Sequence, residues 1–188
     1  GGVRTNATYY ENVKVPESYL VGEMNKGWDL ITGQLNRERL SLVNNAPVEK
    51  LLEDVIDWAK TQEGVEEEKL IDENWVQMNL AKVKTGAEAL KLLCWKQAWS
   101  MTENKLNMAD ASVAKVYGSE FFIEAYRLLM EIVGQEAILT KNSPRNILEG
   151  RLEMLYRVSS ILTFGGGTNE IQRDIISLVG LGMPREKR

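Results

Sequence analysis

Histidine is absent from the 188 residues, and that absence removes whole classes of chemistry. No Ser-His-Asp triad, histidine-ligated zinc or histidine general base exists within the chain. Acid–base work must fall to Asp, Glu, Lys, Tyr or Cys, or to a cofactor. Cysteine is nearly absent too: Cys94 stands alone, so no internal disulfide forms and a reducing compartment fits. Only four prolines occur, with long stretches free of them, which favours helices. No apolar run approaches the roughly 20 residues that span a bilayer, and Gly1-Gly2-Val3-Arg4-Thr5 lacks the apolar core of a signal peptide. A cytoplasmic location is the expectation, with no membrane partner. The net charge of −4 argues against a general nucleic-acid surface.

What is present reads as a globular, helical chain. Apolar residues at 44% and charged residues at 27% suffice for a core and exclude disorder. Residues 1–25 differ from the rest. Thr8-Tyr9-Tyr10 and Val13-Lys14-Val15 are short β-type runs broken by Pro16 and Gly22. They read as the last strand of a preceding β domain and its exit loop. Residues 26–188 read as a helical domain. Ile31, Leu35 and Leu42 share a stripe, Pro47 marks a break, and Leu51, Leu52, Val55 and Ile56 continue to about Lys60. Gly64 and the run Glu66-Glu67-Glu68 mark a turn and a helix start. Val76, Leu80, Val83, Ala87, Leu90 and Cys94 keep one face over five turns. After the turn at Glu103-Asn104-Lys105, a third helix carries Ala114, Gly118, Phe121, Ala125, Leu128 and Ile132. Gly134 ends it and Ser143-Pro144 restarts the chain. A fourth helical stretch runs from about Ile147. The expected fold is all-α, an up-down four-helix bundle with a short N-terminal β-domain remnant. Trp58, Trp75, Trp95 and Trp99 read as core or interface filler.

Two features carry chemistry. The first is the glycine loop Phe164-Gly165-Gly166-Gly167-Thr168-Asn169-Glu170-Ile171-Gln172-Arg173. A backbone without Cβ atoms can approach a flat ligand closely. Thr168 and Asn169 are N-cap types ahead of Ile171, Ile175, Leu178 and Val179, so the loop opens onto a helix start that can meet an anionic or polar cofactor. The plainer reading is a structural cap. The second feature is Glu38, which falls in one narrow sector with Ile31, Leu35 and Leu42. A carboxylate on an apolar stripe is desolvated, which disfavours its charged form and strengthens it as a base. Alternatively the helix rolls slightly, and Glu38 pairs with an arginine at the bundle edge.

The loop, followed by Gly180-Leu181-Gly182-Met183-Pro184-Arg185, resembles the C-terminal signature of the acyl-CoA dehydrogenases. Residues 9–28 resemble that family's passage from β domain to helical domain. The resemblance implies the C-terminal part of a longer flavoenzyme that binds FAD and desaturates acyl-CoA thioesters. Its electrons would pass to an electron-accepting flavoprotein, and no metal is implied. Most members place the α-proton base immediately before the loop's glycine-threonine pair, but Gly166 stands there. A minority, similar to isovaleryl- and long-chain-type enzymes, supply it from the first helix of this domain, and Leu35-Asn36-Arg37-Glu38-Arg39-Leu40 matches that pattern. The resemblance thus implies Glu38 as base and Arg39 beside the substrate, the latter otherwise an ion-pair former. It implies Gly167, Thr168, Asn169 and Glu170 along the FAD, and Arg157 as structural.

Two stretches depart from the family. Where it carries an arginine and an aromatic for the neighbouring subunit's FAD, this chain has Gln62-Glu63-Gly64-Val65-Glu66-Glu67-Glu68. Its glutamine-glycine-glycine turn has become Glu131-Ile132-Val133-Gly134. Carboxylates would repel a pyrophosphate. Such departures are familiar in bacterial members that share FAD between unlike subunits, so a homo- or hetero-oligomer is implied. Two other readings remain: a non-catalytic partner subunit building half a flavin site, and a helical interaction module without chemistry.

Overall fold

The structure, a computed structural model, describes residues 6–65, 68–103 and 105–185, apart from the side chains of Asn36 and Leu40. Six α-helices dominate: α1 Gly27–Leu42, α2 Ala46–Ala59, α3 Asn74–Thr102, α4 Met108–Val133, α5 Arg151–Ser159 and α6 Asn169–Ile175. Helix α4 is the axis of the bundle and packs against each of the other five. Its sequence explains this. Small residues on several faces (Ala109, Ala111, Ser112, Ala114, Gly118, Ser119, Ala125), all buried, let neighbouring backbones close in from every side. A Cβ on Gly118 would stand 2.6 Å from Cβ of Val43, so the chain leaving α1 lies almost on the α4 backbone. Asn107 caps α4, its side chain accepting from the Ala109 N–H at 2.8 Å, and Gly134 ends it at φ 75°.

The core runs from Val48, Leu51, Leu52 and Val55 of α2, through Val76, Val83, Ala87 and Leu90 of α3, to Phe122, Ala125, Leu129 and Ile132 of α4, with Leu152 of α5 closing one end. These are the stripes read from periodicity. Pro47 stands in the first turn of α2, where its missing N–H costs nothing. Arg151 ties α5 to α2 through Asp54 at 2.8 Å, and Arg157 pairs with Glu153 within α5.

Two expectations change. Helix α3 starts at Asn74, not at the acidic run, of which Glu66 and Glu67 lie outside the described residues. The intervening segment satisfies its own donors: Gly64 N–H to the Glu68 carbonyl at 2.8 Å, Leu70 N–H to Gln62 at 3.1 Å, and Val65 N–H to the Glu73 carboxylate at 2.7 Å. The fourth long helix begins at Arg151 rather than near Ile147, because Leu148, Glu149 and Gly150 all take positive φ. Residues 6–26 form no strand and hold one 3₁₀ turn, Glu17–Tyr19. Tyr9, Tyr10, Val13 and Val15 are exposed, as expected of a strand sequence with no strand beside it. Of the two roles expected for the tryptophans, Trp58 packs against the core's edge, while Trp75, Trp95 and Trp99 are exposed, which leaves them the interface role.

Tyr126, stacked against Phe122 with ring centroids 6.0 Å apart, gives the fold a pH signature. Burial pushes its phenol up to about 12. Between the ordinary value near 10 and that point, the unfolded chain loses the proton first, so stability falls as pH rises, by up to about 1.4 kcal/mol per pH unit. Tyr126→Phe should make that slope shallower, with Tyr117 and Cys94, also raised by burial, contributing to what remains; urea unfolding midpoints between about pH 9 and 12 read the difference.

Candidate active site

The glycine loop is anchored from below by α4 and from the side by α1. Gly166 and Gly167 take φ of 70° and 97°, the left-handed region that favours glycine. Thr168 caps α6, its hydroxyl accepting from the Ile171 N–H at 3.3 Å. Beneath the loop, Lys115 of α4 is fully buried. Its Nζ donates to the Thr163 carbonyl at 3.2 Å, the Gly167 carbonyl at 2.7 Å and Asn169 Oδ1 at 2.7 Å. Asn169 is held in turn by Ser119 at 3.0 Å and Glu120 at 3.2 Å, and Glu120 takes both its oxygens to Arg173 at 2.8 and 2.9 Å. Gln172, also fully buried, accepts from Ser112 at 2.8 Å, while its Nε2 has no partner. A Cβ on Gly167 would meet that nitrogen at 2.6 Å.

Of the residues singled out from sequence, Arg39 joins the loop most firmly. It is buried, and its Nε donates to the Gly166 carbonyl at 3.5 Å. Successive loop carbonyls are thus held by two cations. Burial lowers the Arg39 guanidinium from its ordinary value, with Glu38 pulling it back. Lys115 is lowered by burial first and by Arg39 second, against Glu170 and Glu120. Helix α1 is rolled relative to the expected stripe: Arg39 and Val43 face inward, Leu35 and Leu42 are half-buried, and Ile31 is 42% exposed. Glu38 consequently lies on the exposed side, beside a shallow depression lined by Asp29, Leu30, Gly33, Gln34 and Arg37. The expected burial of Glu38 is not met by this chain's own residues. Trp28 and Leu30 nearer the start of the same helix are exposed as well, but the depression beside the carboxylate is lined mainly by polar residues and glycine.

Thr168 and Glu170 are exposed and Asn169 is buried. The Glu170 carboxylate is held below its ordinary value by its own N–H and by the Thr168 hydroxyl. Asn169 therefore faces the scaffold, whereas Gly167, Thr168 and Glu170 remain on the open side. The N–H of Gly166 finds no acceptor among the described residues, while a turn over residues 164–166 closes toward Gly167. A loop with no Cβ at its crest, a free donor there and two cations behind it suits a flat, polar, anionic cofactor such as FAD. Sequence reasoning missed Lys115, Ser119 and Gln172. The available signal was a lone lysine on a face of small and apolar residues: Ala111, Ala114, Gly118, Phe122.

Among the described residues no group of His, Cys, Asp or Glu could hold a metal ion. No helix there is long and apolar enough to cross a membrane.

Residues 25–180 match the family described as acyl-CoA dehydrogenase, C-terminal domain. The chain belongs to the acyl-CoA dehydrogenase family. It is 52% identical over 190 residues to acyl-CoA dehydrogenase FadE26 of Mycobacterium tuberculosis, covering 100% of this chain and 48% of that protein. Against FadE29 of the same organism it is 38% identical over 188 residues, covering 100% of this chain and 48% of that protein. Among solved structures it resembles a chain of the ChsE4-ChsE5 complex from Mycobacterium tuberculosis (TM-score 0.86, 51% identity, 95% of this chain and 46% of that one). It also resembles a chain of the Tcur3481-Tcur3483 steroid ACAD (TM-score 0.86, 40% identity, 95% of this chain and 45% of that one). The chain spans about half the length of the curated relatives it matches. Its helical fold is that of the family's C-terminal domain, and the family is FAD-dependent in general.

The loop's conformation is open to a direct test. Gly167→Ala would place a methyl at φ 97° against Gln172. The expected cost is about 1–3 kcal/mol, measured by urea unfolding, while Gly27→Ala, where a Cβ meets nothing within 4 Å, serves as the control.

Proposed function

We propose that this domain supplies the catalytic base and one wall of the flavin site of an acyl-CoA dehydrogenase that introduces a 2,3 double bond into an acyl-CoA thioester. The observation that carries the reading is the hydrogen bond from Arg39 to the Gly166 carbonyl. At 3.5 Å it sets the turn of α1 that bears Glu38 beside the glycine loop, so the proposed base and the proposed cofactor wall are neighbours.

The work of the chain's own residues follows. Glu38 accepts the proton from the carbon α to the thioester carbonyl and becomes a carboxylic acid. Arg39, fixed by burial and by the loop, holds a positive charge beside Glu38 and favours the negative charge that develops toward the thioester oxygen. Gly167, Thr168 and Glu170 line the open side of the loop against the cofactor, with Asn169 setting the start of α6 from below. Bound FAD supplies the acceptor for the hydride that leaves the β carbon. The exposed Trp28, Leu30 and Ile31 mark the surface on which the rest of the enzyme and the acyl chain exclude water, which would desolvate Glu38 and strengthen it as a base. The steroid ACAD relative makes an acyl-CoA on a steroid nucleus the substrate class to assay first.

A heteromeric assembly is the second part of the reading. Between Gln62 and Glu68, the described residues include no arginine and no aromatic to reach a neighbour's cofactor, and Glu63 and Glu68 add negative charge. The two solved relatives above are complexes named for two chains each. We place the enzyme in the cytoplasm, passing its electrons to a flavoprotein acceptor. A non-catalytic partner subunit would share the loop but have no use for Glu38.

Two measurements test this. In the full-length enzyme, Glu38→Gln should leave flavin binding nearly intact and slow flavin reduction by acyl-CoA in a single turnover by about 10²–10⁴-fold. Reduction at the parent rate would assign this chain the partner role. The ratio of FAD to this chain, counted in the purified assembly, should require an unlike partner chain; one FAD per chain in a homo-oligomer contradicts the heteromer.

A further inference from the structure

Lys115 is an expensive residue to keep where it is. Its ammonium has no exposure, and all three of its hydrogens go to neutral acceptors: two carbonyls and an amide oxygen. Among the described residues no carboxylate forms an ion pair with it. The charged groups that bear on it are Arg39 from α1, which opposes its charge, with Glu120 of α4 and Glu170 of α6, which favour it. A buried cation without a paired anion costs far more than an apolar side chain of similar length. Filling space between α4 and the loop would need only a methionine. The partners indicate what the charge is for. Thr163 and Gly167 stand on either side of Phe164-Gly165-Gly166, and Asn169 opens α6, so one ammonium fixes the entrance, the exit and the following helix.

We propose that Lys115 is the positioning residue of the glycine loop, its ammonium drawing the Thr163 and Gly167 carbonyls inward so that the Gly166 N–H stays free for the cofactor. This rests on the flavin reading of the loop given above. A three-glycine segment has more accessible conformations than any other of its length, and several would turn a carbonyl toward the ligand in place of an N–H. Three bonds from one buried ammonium, two of them short at 2.7 Å, select among them. Arg39 on the Gly166 carbonyl secures the side facing α1. Asn169 is itself oriented by Ser119 and Glu120, so the tether ends in a fixed group at every point.

The test uses the full-length protein, with and without FAD. In the flavin-free protein, Lys115→Met should speed amide hydrogen exchange at residues 164–171 by tenfold or more while protection across α3 stays within threefold. With FAD, the same variant should bind at least tenfold more weakly and alter the visible circular-dichroism band of the bound flavin. A merely structural lysine would loosen α3 and α4 together and leave that band unchanged. Asn169→Ala, which removes one acceptor and leaves the cation, should speed exchange of the same amides by a smaller factor and stands in if Lys115→Met does not fold. Unchanged loop exchange in both variants overturns the positioning role even where the parent binds FAD tightly. Faster loop exchange with unaltered FAD affinity and flavin band would instead refute the flavin reading of the loop while leaving the tether standing.

Discussion

The ammonium of Lys115 ties the N-terminal third of α4 to a stretch about fifty residues further along the chain, at both ends of the glycine loop and the first residue of α6. Much of the remaining architecture can be understood as the means of keeping that charge dry and fully bonded. Small residues around α4 admit neighbouring helices at close range, and those helices exclude water from the lysine. Gly118 admits Val43 to the α4 backbone, which seats the C-terminal end of α1 and with it Arg39. The loop then meets a cation from below and another from the side. Both are lowered by burial, a cost that a bundle built only for stability would have no reason to carry.

The geometry separates scaffold from surface within a few residues. Asn169 and Gln172 turn into the bundle, whereas Thr168 and Glu170 stay outside. On α1 the division falls between adjacent residues, Arg39 buried and Glu38 exposed. Consecutive helical positions differ by about 100°, so one can be locked while its neighbour faces a substrate. That is a useful arrangement for a base that must be aimed by the protein yet reach a bound thioester. The exposed tyrosines, valines and Trp28 between residues 9 and 31 lie along the same side of the sequence as Glu38. They suit the proposal that further protein covers this region in the complete enzyme.

The sequence was readable where the chain supplies its own environment. Helices α2, α3 and α4 pack on the stripes that periodicity identified, because both faces of each contact belong to these 188 residues. Gly134 ends α4 and Thr168 caps α6, since φ preference and side-chain capping are local. The reading failed where the environment is non-local. The roll of α1 is set by Gly118 and by the loop carbonyl of Gly166, neither of which a stripe count on α1 can see. Helix α3 opens only at Asn74, after a segment in which the Glu73 carboxylate accepts from the Val65 N–H eight residues back, a contact that local charge patterning does not reveal. Lys115 escaped notice because a lysine on a small-residue face is ordinarily a solvated one; only its three acceptors reveal its position. Thus the fold could be argued from pattern, and the loop and Glu38 from resemblance, but the charge beneath the loop needed coordinates.

The central claim is that the turn of α1 carrying Glu38 and the glycine loop form one side of a flavin-dependent desaturation site. A crystal structure of the complete enzyme with FAD and a non-reactive acyl-CoA analogue tests it most directly. The expected result places a Glu38 carboxylate oxygen about 3 Å from the α carbon, within reach of its proton, with the Gly166–Thr168 backbone against the cofactor. A Glu38 side chain directed away from the thioester, with another carboxylate at the α carbon or the cofactor seated away from this loop, would contradict it.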